Sequence, residues 1–284
     1  MIDRRSLVAG LPLLAAAGPD RFAALRRVIP QIEHSAGGPI GIALLDTHTG
    51  ERFGHRAGNR FPLCSTFKLL LAARLLHGAE RQEWAMSERL QVTKADMLFN
   101  APFTEKRVGG NASLLELAQA MAVLSDNPAA NIAIARIGGP AALTRWLRAI
   151  GDQIARIDRV EPEMNNETPG DPRDTTTPTA MLATCRALVE GRILSPAARA
   201  QLFAWMAASQ TANSMIRAAL PPGWKEANKT GAGSWRARNI VSVITPPGRK
   251  PIWLAAYLFA AKSELEERNR HFVPLGQAIV DSVT

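Results

Sequence analysis

Apolar residues run in strand-like segments near both ends of the chain and at helical spacing between them. Ile40 to Thr47 and Glu51 to Arg56 flank His48-Thr49-Gly50 and predict a hairpin. Near the far end Ile240 to Thr245 and Trp253 to Phe259 flank the turn sequence Pro246-Pro247-Gly248-Arg249-Lys250, with Ala227 to Ser234 as a third strand before them. Helical periodicity marks Thr66 to His77, Ser113 to Leu124, Asn131 to Ile137, Ala141 to Ile150, Thr179 to Glu190 and Pro196 to Ala208. The closing segment, Lys262 to Val283, has the same spacing and should pack on the sheet. These elements predict an α/β (α+β sandwich) fold: an antiparallel five-stranded sheet flanked by helices, built from 18–60 and 209–284, with an all-helical domain, 61–208, inserted. Such a topology leaves a cleft at the junction.

The start of the chain follows a different pattern. Asp3-Arg4-Arg5-Ser6 leads into an apolar run from Leu7 to Gly18 that contains Ala15-Ala16-Ala17, which reads as an export signal over 1–17. The paired arginines fit a twin-arginine leader. The run is too short to span a bilayer, so the mature protein is expected in the periplasm or outside the cell, without a membrane anchor.

A net charge of +9 raises the question of nucleic acid, but the arginines are scattered and no aromatics interleave with a basic tract, so no nucleic-acid partner is expected. The five histidines stand apart, without metal-ligand spacing, and no metal or other cofactor is expected. Cys64 and Cys185 have neither redox nor zinc spacing and are expected to be free, buried thiols.

Three short motifs carry candidate chemistry. Ser65-Thr66-Phe67-Lys68 opens a helical pattern, which puts Lys68 one turn from Ser65 and sets a base beside a hydroxyl at an oxyanion-binding helix start. Ser125-Asp126-Asn127 ends an apolar helix just before Pro128, and Lys229-Thr230-Gly231 precedes Ala232 and Gly233 in a predicted inner strand. Each motif alone also reads as a cap, a turn or a solvated lysine.

Together, in this order and at these separations, they resemble the serine penicillin-recognising enzymes. A fourth element, Arg159-Val160-Glu161-Pro162-Glu163-Met164-Asn165 followed by Asp174-Thr175-Thr176-Thr177-Pro178, is similar to the omega loop of class A β-lactamases, here 156–174. With Thr104-Glu105-Lys106 and Trp224, the resemblance spans nearly the whole mature chain.

The resemblance implies hydrolysis of a small-molecule β-lactam by a monomer. Ser65 would attack the lactam carbonyl, with the N–H groups of Ser65 and Ala232 as oxyanion hole. Ser125 would pass a proton to the ring nitrogen. Lys68 and Glu161 would share base duties, Glu161 activating the deacylating water with Asn165. Asn127 would meet the substrate's side-chain amide, and Lys229, Thr230 and Arg238 its carboxylate, along the strand through Gly231. Arg217 is the competitor of Arg238, while Arg236 reads as surface. A salt bridge from Arg159 to Asp174 would close the loop, and the bond before Pro162 would be cis.

Three departures from the family stand out. Phe99-Asn100 stands where many relatives carry a cleft-wall tyrosine, and the sequence does not decide whether Phe99 replaces that wall. Asn239-Ile240 replaces Asn-Asp and reads as structural drift. Cys64 occurs beside the nucleophile in carbapenem-hydrolysing relatives, but Gly233 stands where their partner cysteine would be, so that disulfide cannot form. The rival readings are a D,D-peptidase of the penicillin-binding kind and a penicillin-sensing domain. Glu161 with Asn165 argues against the first, and the lack of an anchoring span against the second.

Overall fold

Leu25, Ile29, Ile32 and Ala36 fall on one stripe of helix α1 (Ala23–Ala36), which the sequence reading did not assign; Pro30 interrupts its pattern on the exposed side. Gly37 ends it with φ +64°, where a left-handed residue lets the chain turn into the first strand. The computed structural model describes residues 20–283, and the leader read at 1–17 lies outside them.

Strands β1 (Ile40–Asp46) and β2 (Arg52–His55) form the expected hairpin. After the short β3 (Phe61–Pro62), a 3-10 turn at Cys64–Thr66 runs into α2 (Phe67–Glu80). The pair β4 (Arg89–Gln91) and β5 (Asn111–Ser113) precedes α3 (Leu114–Val123). Helices α4 (Asn127–Arg136) and α5 (Pro140–Ala149) lead to the omega loop, which ends in β6 (Thr175–Thr176). Next come α6 (Pro178–Glu190) and α7 (Pro196–Ala208), the strands β7 (Lys225–Ala232), β8 (Ala237–Thr245) and β9 (Ile252–Phe259), and helices α8 (Leu265–Arg270) and α9 (Phe272–Asp281).

Helix starts follow local chemistry. Ser113, Asp126, Thr177 and Ser195 each accept a first-turn N–H, and Pro128, Pro140, Pro178 and Pro196 occupy first or second positions, where no donor is lost. Because Asp126 is the cap, α4 starts at Asn127, earlier than its apolar periodicity at Asn131 suggests.

The sheet order is β2-β1-β9-β8-β7, antiparallel throughout, with strands from both ends of the chain. Both faces are covered, so the strands read as continuous apolar runs rather than alternating ones. On β9, Trp253, Ala255 and Tyr257 face the helical layer, while Ile252, Leu254, Ala256 and Leu258 face α1 and α9.

The predicted closing helix divides at His271. Pro274 supplies no N–H to the carbonyl of Arg270, and Arg268 and Asn269 are drawn inward to the sheet, so one straight helix does not form. The third predicted strand shifts to Lys225–Ala232, and β8 begins at Ala237, before Ile240.

Candidate active site

Ser65 follows Cys64, whose φ of +43° lies in the left-handed region, rare for a side chain larger than glycine. The kink aims Ser65 into a cleft of about 510 Å³ between sheet and helical layer, lined by Ser65, Phe99, Ser125, Asn127, Asn165, Thr211, Thr230, Gly231, Ala232 and Arg238 among others. Thr66 braces the turn, donating to the Leu63 carbonyl at 2.6 Å and contacting the Tyr257 hydroxyl at 3.0 Å. Asn239 donates to the carbonyls of Pro62 (2.8 Å) and Leu63 (3.3 Å). Asn239, the half of that pair which keeps the family pattern, thereby tethers the segment that carries Ser65.

Lys68 is fully buried and stands at the centre. Its Nζ donates to Ser65 Oγ at 3.0 Å, to the Ser125 carbonyl at 2.9 Å and to Asn127 Oδ1, and it lies 3.0 Å from Glu161 Oε1. Ser65 Oγ is 3.5 Å from the same carboxylate oxygen. Burial pulls the Lys68 pKa down, and the Glu161 carboxylate opposes that shift.

Glu161 is placed by groups far away in sequence. Asn131 accepts its N–H at 3.0 Å and donates to its carbonyl at 2.7 Å, a role the apolar pattern of α4 did not signal. Asn165 donates from Nδ2 to Glu161 Oε2, and its buried Oδ1 has no hydrogen-bond partner among the described residues. The Glu161–Pro162 bond is cis.

The Arg159–Asp174 salt bridge is present at 2.5 Å, and Asp174 also accepts the N–H groups of Asp158 (2.7 Å) and Arg159 (3.0 Å). Leu63 N–H donates to the Asp174 carbonyl at 2.7 Å, so loop closure and nucleophile share one support. Arg159→Ala leaves a carboxylate that is 1% exposed without its cation. It should lower unfolding free energy by about 2–3 kcal/mol in a urea titration; an unchanged midpoint would deny the loop its clasp.

Across the cleft, Lys229 Nζ donates to Ser125 Oγ (3.1 Å) and to the Thr230 carbonyl (2.8 Å). Burial, then the positive Lys68 and Arg238, push its pKa well below the usual lysine value. Ser125 has φ +60° and offers its carbonyl to Lys68 and Asn100. Asp126 is buried and satisfied by Thr104, Phe103 and Ala129, which makes it scaffold.

Arg238 lies across from Ala232 in the β7–β8 register. It is held by Asn269 Oδ1 (2.6 Å) and the carbonyls of Thr211 (2.9 Å) and Gly231 (3.2 Å), with no carboxylate partner among the described residues. Burial and nearby Arg268 pull its pKa down to about 9, which leaves it charged at neutral pH. Its competitor Arg217 pairs instead with Glu226 at 3.0 Å, and Arg236 is exposed.

A Cβ on Gly231 would come within 3.1 Å of the Ser65 nitrogen, so glycine lets the strand approach the nucleophile. Thr211, which accepts from Thr230 at 2.7 Å, and Asn269 complete this wall; neither lies in a recognisable motif. Phe99, 67% exposed, lines the opposite wall and accepts from Asn127 Nδ2 through its carbonyl. Cys64 and Cys185 are free and buried, and burial pushes both thiols up, away from reactivity.

A buried serine, two lysines and a carboxylate at the junction of an antiparallel sheet and a helical layer define a penicillin-recognising serine enzyme. A family model described as the beta-lactamase enzyme family matches residues 23–283. β-Lactamase L2 of Stenotrophomonas maltophilia is 42% identical, over 94% of this chain and 91% of that protein. CTX-M-8 of Citrobacter amalonaticus is 38% identical, over 97% and 93%. A crystal structure of a β-lactamase from Xanthomonas campestris pv. campestris superposes with TM-score 0.90 at 44% identity, covering 93% of this chain and 99% of that one. An ancestral class A β-lactamase gives 0.88, also at 44%, over 91% and 99%. The chain belongs to the beta-lactamase enzyme family and, within it, to class A.

Proposed function

We propose that this protein hydrolyses β-lactam antibiotics through an acyl-enzyme on Ser65, released by a water that Glu161 activates. Family membership supports β-lactam hydrolysis. The observation that carries the mechanism is the cluster of Ser65 Oγ, Lys68 Nζ and Glu161 Oε1 within 3.0–3.5 Å of one another.

In acylation, Ser65 Oγ adds to the lactam carbonyl carbon and gives its proton to the Lys68–Glu161 pair. The oxyanion is held by the N–H groups of Ser65 and Ala232. The C–N bond breaks and Ser125, poised between the two lysines, delivers its proton to the ring nitrogen and takes in its place the proton that the Lys68–Glu161 pair received from Ser65. In deacylation, water adds to the ester as Glu161 takes its proton, and the C–Oγ bond breaks as that proton passes through Lys68 to Ser65 Oγ, which returns both residues to their starting state. Asn165, with one amide group on Glu161 and a free acceptor beside it, orients that water. Lys229, Thr230 and Arg238 face the substrate carboxylate and Asn127 its side-chain amide. We assign 18–60 with 209–284 to one domain and 61–208 to the other. We also place the mature enzyme in the periplasm or outside the cell, as a monomer.

A chromogenic cephalosporin should be turned over many times per molecule. One equivalent of acylation followed by silence would instead indicate a D,D-peptidase or a sensor.

Lys229 sets the alkaline limit. An ammonium is charged below its pKa, so a lowered pKa moves the loss of charge to lower pH. KM for carboxylate-bearing substrates should therefore climb well before the ordinary lysine range near ~10.4. Lys229→Arg should move that limb upward, and an unmoved limb would exclude Lys229 as its origin.

A further inference from the structure

Outside the cluster that carries the chemistry, Glu167 makes the most unusual contact of the omega loop. Its carboxylate reaches across to the β7–β8 connection and accepts three consecutive backbone N–H groups. Trp235 donates at 2.8 Å, Arg236 at 2.8 and 3.0 Å, and Ala237 at 2.5 Å. Successive amides converging on one anion form a nest, here filled by a side chain from the opposite side of the cleft.

The other side of the same connection is also gripped. Arg268, 3% exposed, donates from Nη1 to the carbonyls of Gly233 (3.0 Å) and Ala237 (2.8 Å). The turn that begins right after Ala232 is thus held by an anion on its donors and a cation on its acceptors. Gly233 completes the fit: a Cβ there would lie 2.0 Å from Glu167 Oε1, so the carboxylate occupies the space that only glycine leaves open.

We propose that Glu167 is a positioning residue for catalysis, locking the loop that carries Glu161 and Asn165 to the strand end that carries Ala232. The inference rests on the acyl-enzyme reading above. Acylation can draw its base from Lys68 on α2, 3.0 Å from Ser65 Oγ, so it leans less on this lock. Deacylation needs the water held by Glu161 and Asn165 to meet a carbonyl fixed at Ala232, so it depends on the distance that Glu167 sets. A misplacement of about 1 Å between such groups costs up to ~100-fold in rate.

The test compares wild type, Glu167→Gln and Glu167→Ala, with stopped-flow burst kinetics and intact mass on a penicillin and a cephalosporin. Glu167→Ala should slow deacylation about tenfold or more while acylation changes less, so kcat and KM fall together and a burst of acyl-enzyme appears. Glutamine keeps one acceptor oxygen for the paired amides and should lie between the two. Gly233→Ala should give the same signature by expelling the carboxylate, and the double variant should be no worse than either single one, because both remove one contact. Amide exchange at residues 235–237 should quicken in the Glu167→Ala variant even if its melting temperature barely moves. Wild-type kcat and KM in Glu167→Ala, with only a lower melting temperature, would overturn the proposal and leave a structural tie. Failure of the wild type to turn over would reject the hydrolytic reading itself, and that control is read first.

Discussion

Glu161→Ala is expected to turn the enzyme into a protein that acylates and then stalls. Its carboxylate lies 3.5 Å from Ser65 Oγ and is fixed from three directions, by Asn131 on its backbone, Asn165 on Oε2 and Lys68 on Oε1. A positioned general base contributes about 10²–10⁴-fold, so kcat should fall by that factor. Acylation can still draw on Lys68, so a covalent adduct of substrate mass should build up. Unchanged turnover would remove Glu161 from the mechanism.

The second large effect is expected at Lys68. Methionine there keeps most of the volume but takes away the group that contacts Ser65, Glu161, Asn127 and the Ser125 carbonyl. Acylation should slow by about 10²–10⁴-fold, leaving no adduct on the time scale that labels the Glu161 variant. Stability should also drop, by about 3 kcal/mol, because a carboxylate only 2% exposed loses its cation. Lys68→Arg separates charge from proton transfer: the guanidinium restores positive charge yet does not give up a proton. Recovered stability without recovered acylation is the expected outcome. Full recovery of acylation would reduce Lys68 to an electrostatic role.

Much of this site was readable because catalysis ties residue types to short spacings on one element. Ser65 and Lys68 are three apart on a helix start, Lys229 to Ala232 share one strand, and Glu161 to Asn165 span one turn of the loop. The Arg159–Asp174 pair is legible because a long polar loop needs closure. What stayed hidden acts across distance: Asn131 reaches Glu161 over 30 positions, Asn269 reaches Arg238 over 31, and Glu167 reaches the β7–β8 connection over 68–70. No local pattern marks such residues, since each becomes specific only when the chain has folded.

The fold divides in the same way. Five strands and most helices follow from periodicity, with starts shifted where capping side chains outrank it, as at Asp126. Helix α1 escaped because Pro30 breaks its pattern, although Leu25, Ile29 and Ile32 carry the stripe. The break at His271 escaped because its causes, Pro274 and the inward pull on Arg268 and Asn269, lie on different levels. The tether by Asn239 is hidden for the same reason: its partners are the carbonyls of Pro62 and Leu63, far back in the chain.

Mapping the adduct is the most direct test of the proposed chemistry. Trypsin cuts after Arg60 and Lys68, releasing a peptide of residues 61–68 that holds Cys64, Ser65 and Thr66 side by side. After brief exposure of Glu161→Ala to a β-lactam, fragmentation of that peptide should put the added mass on Ser65 alone. Mass on Cys64, on Thr66 or on the peptide carrying Ser125 would contradict the assignment of the nucleophile.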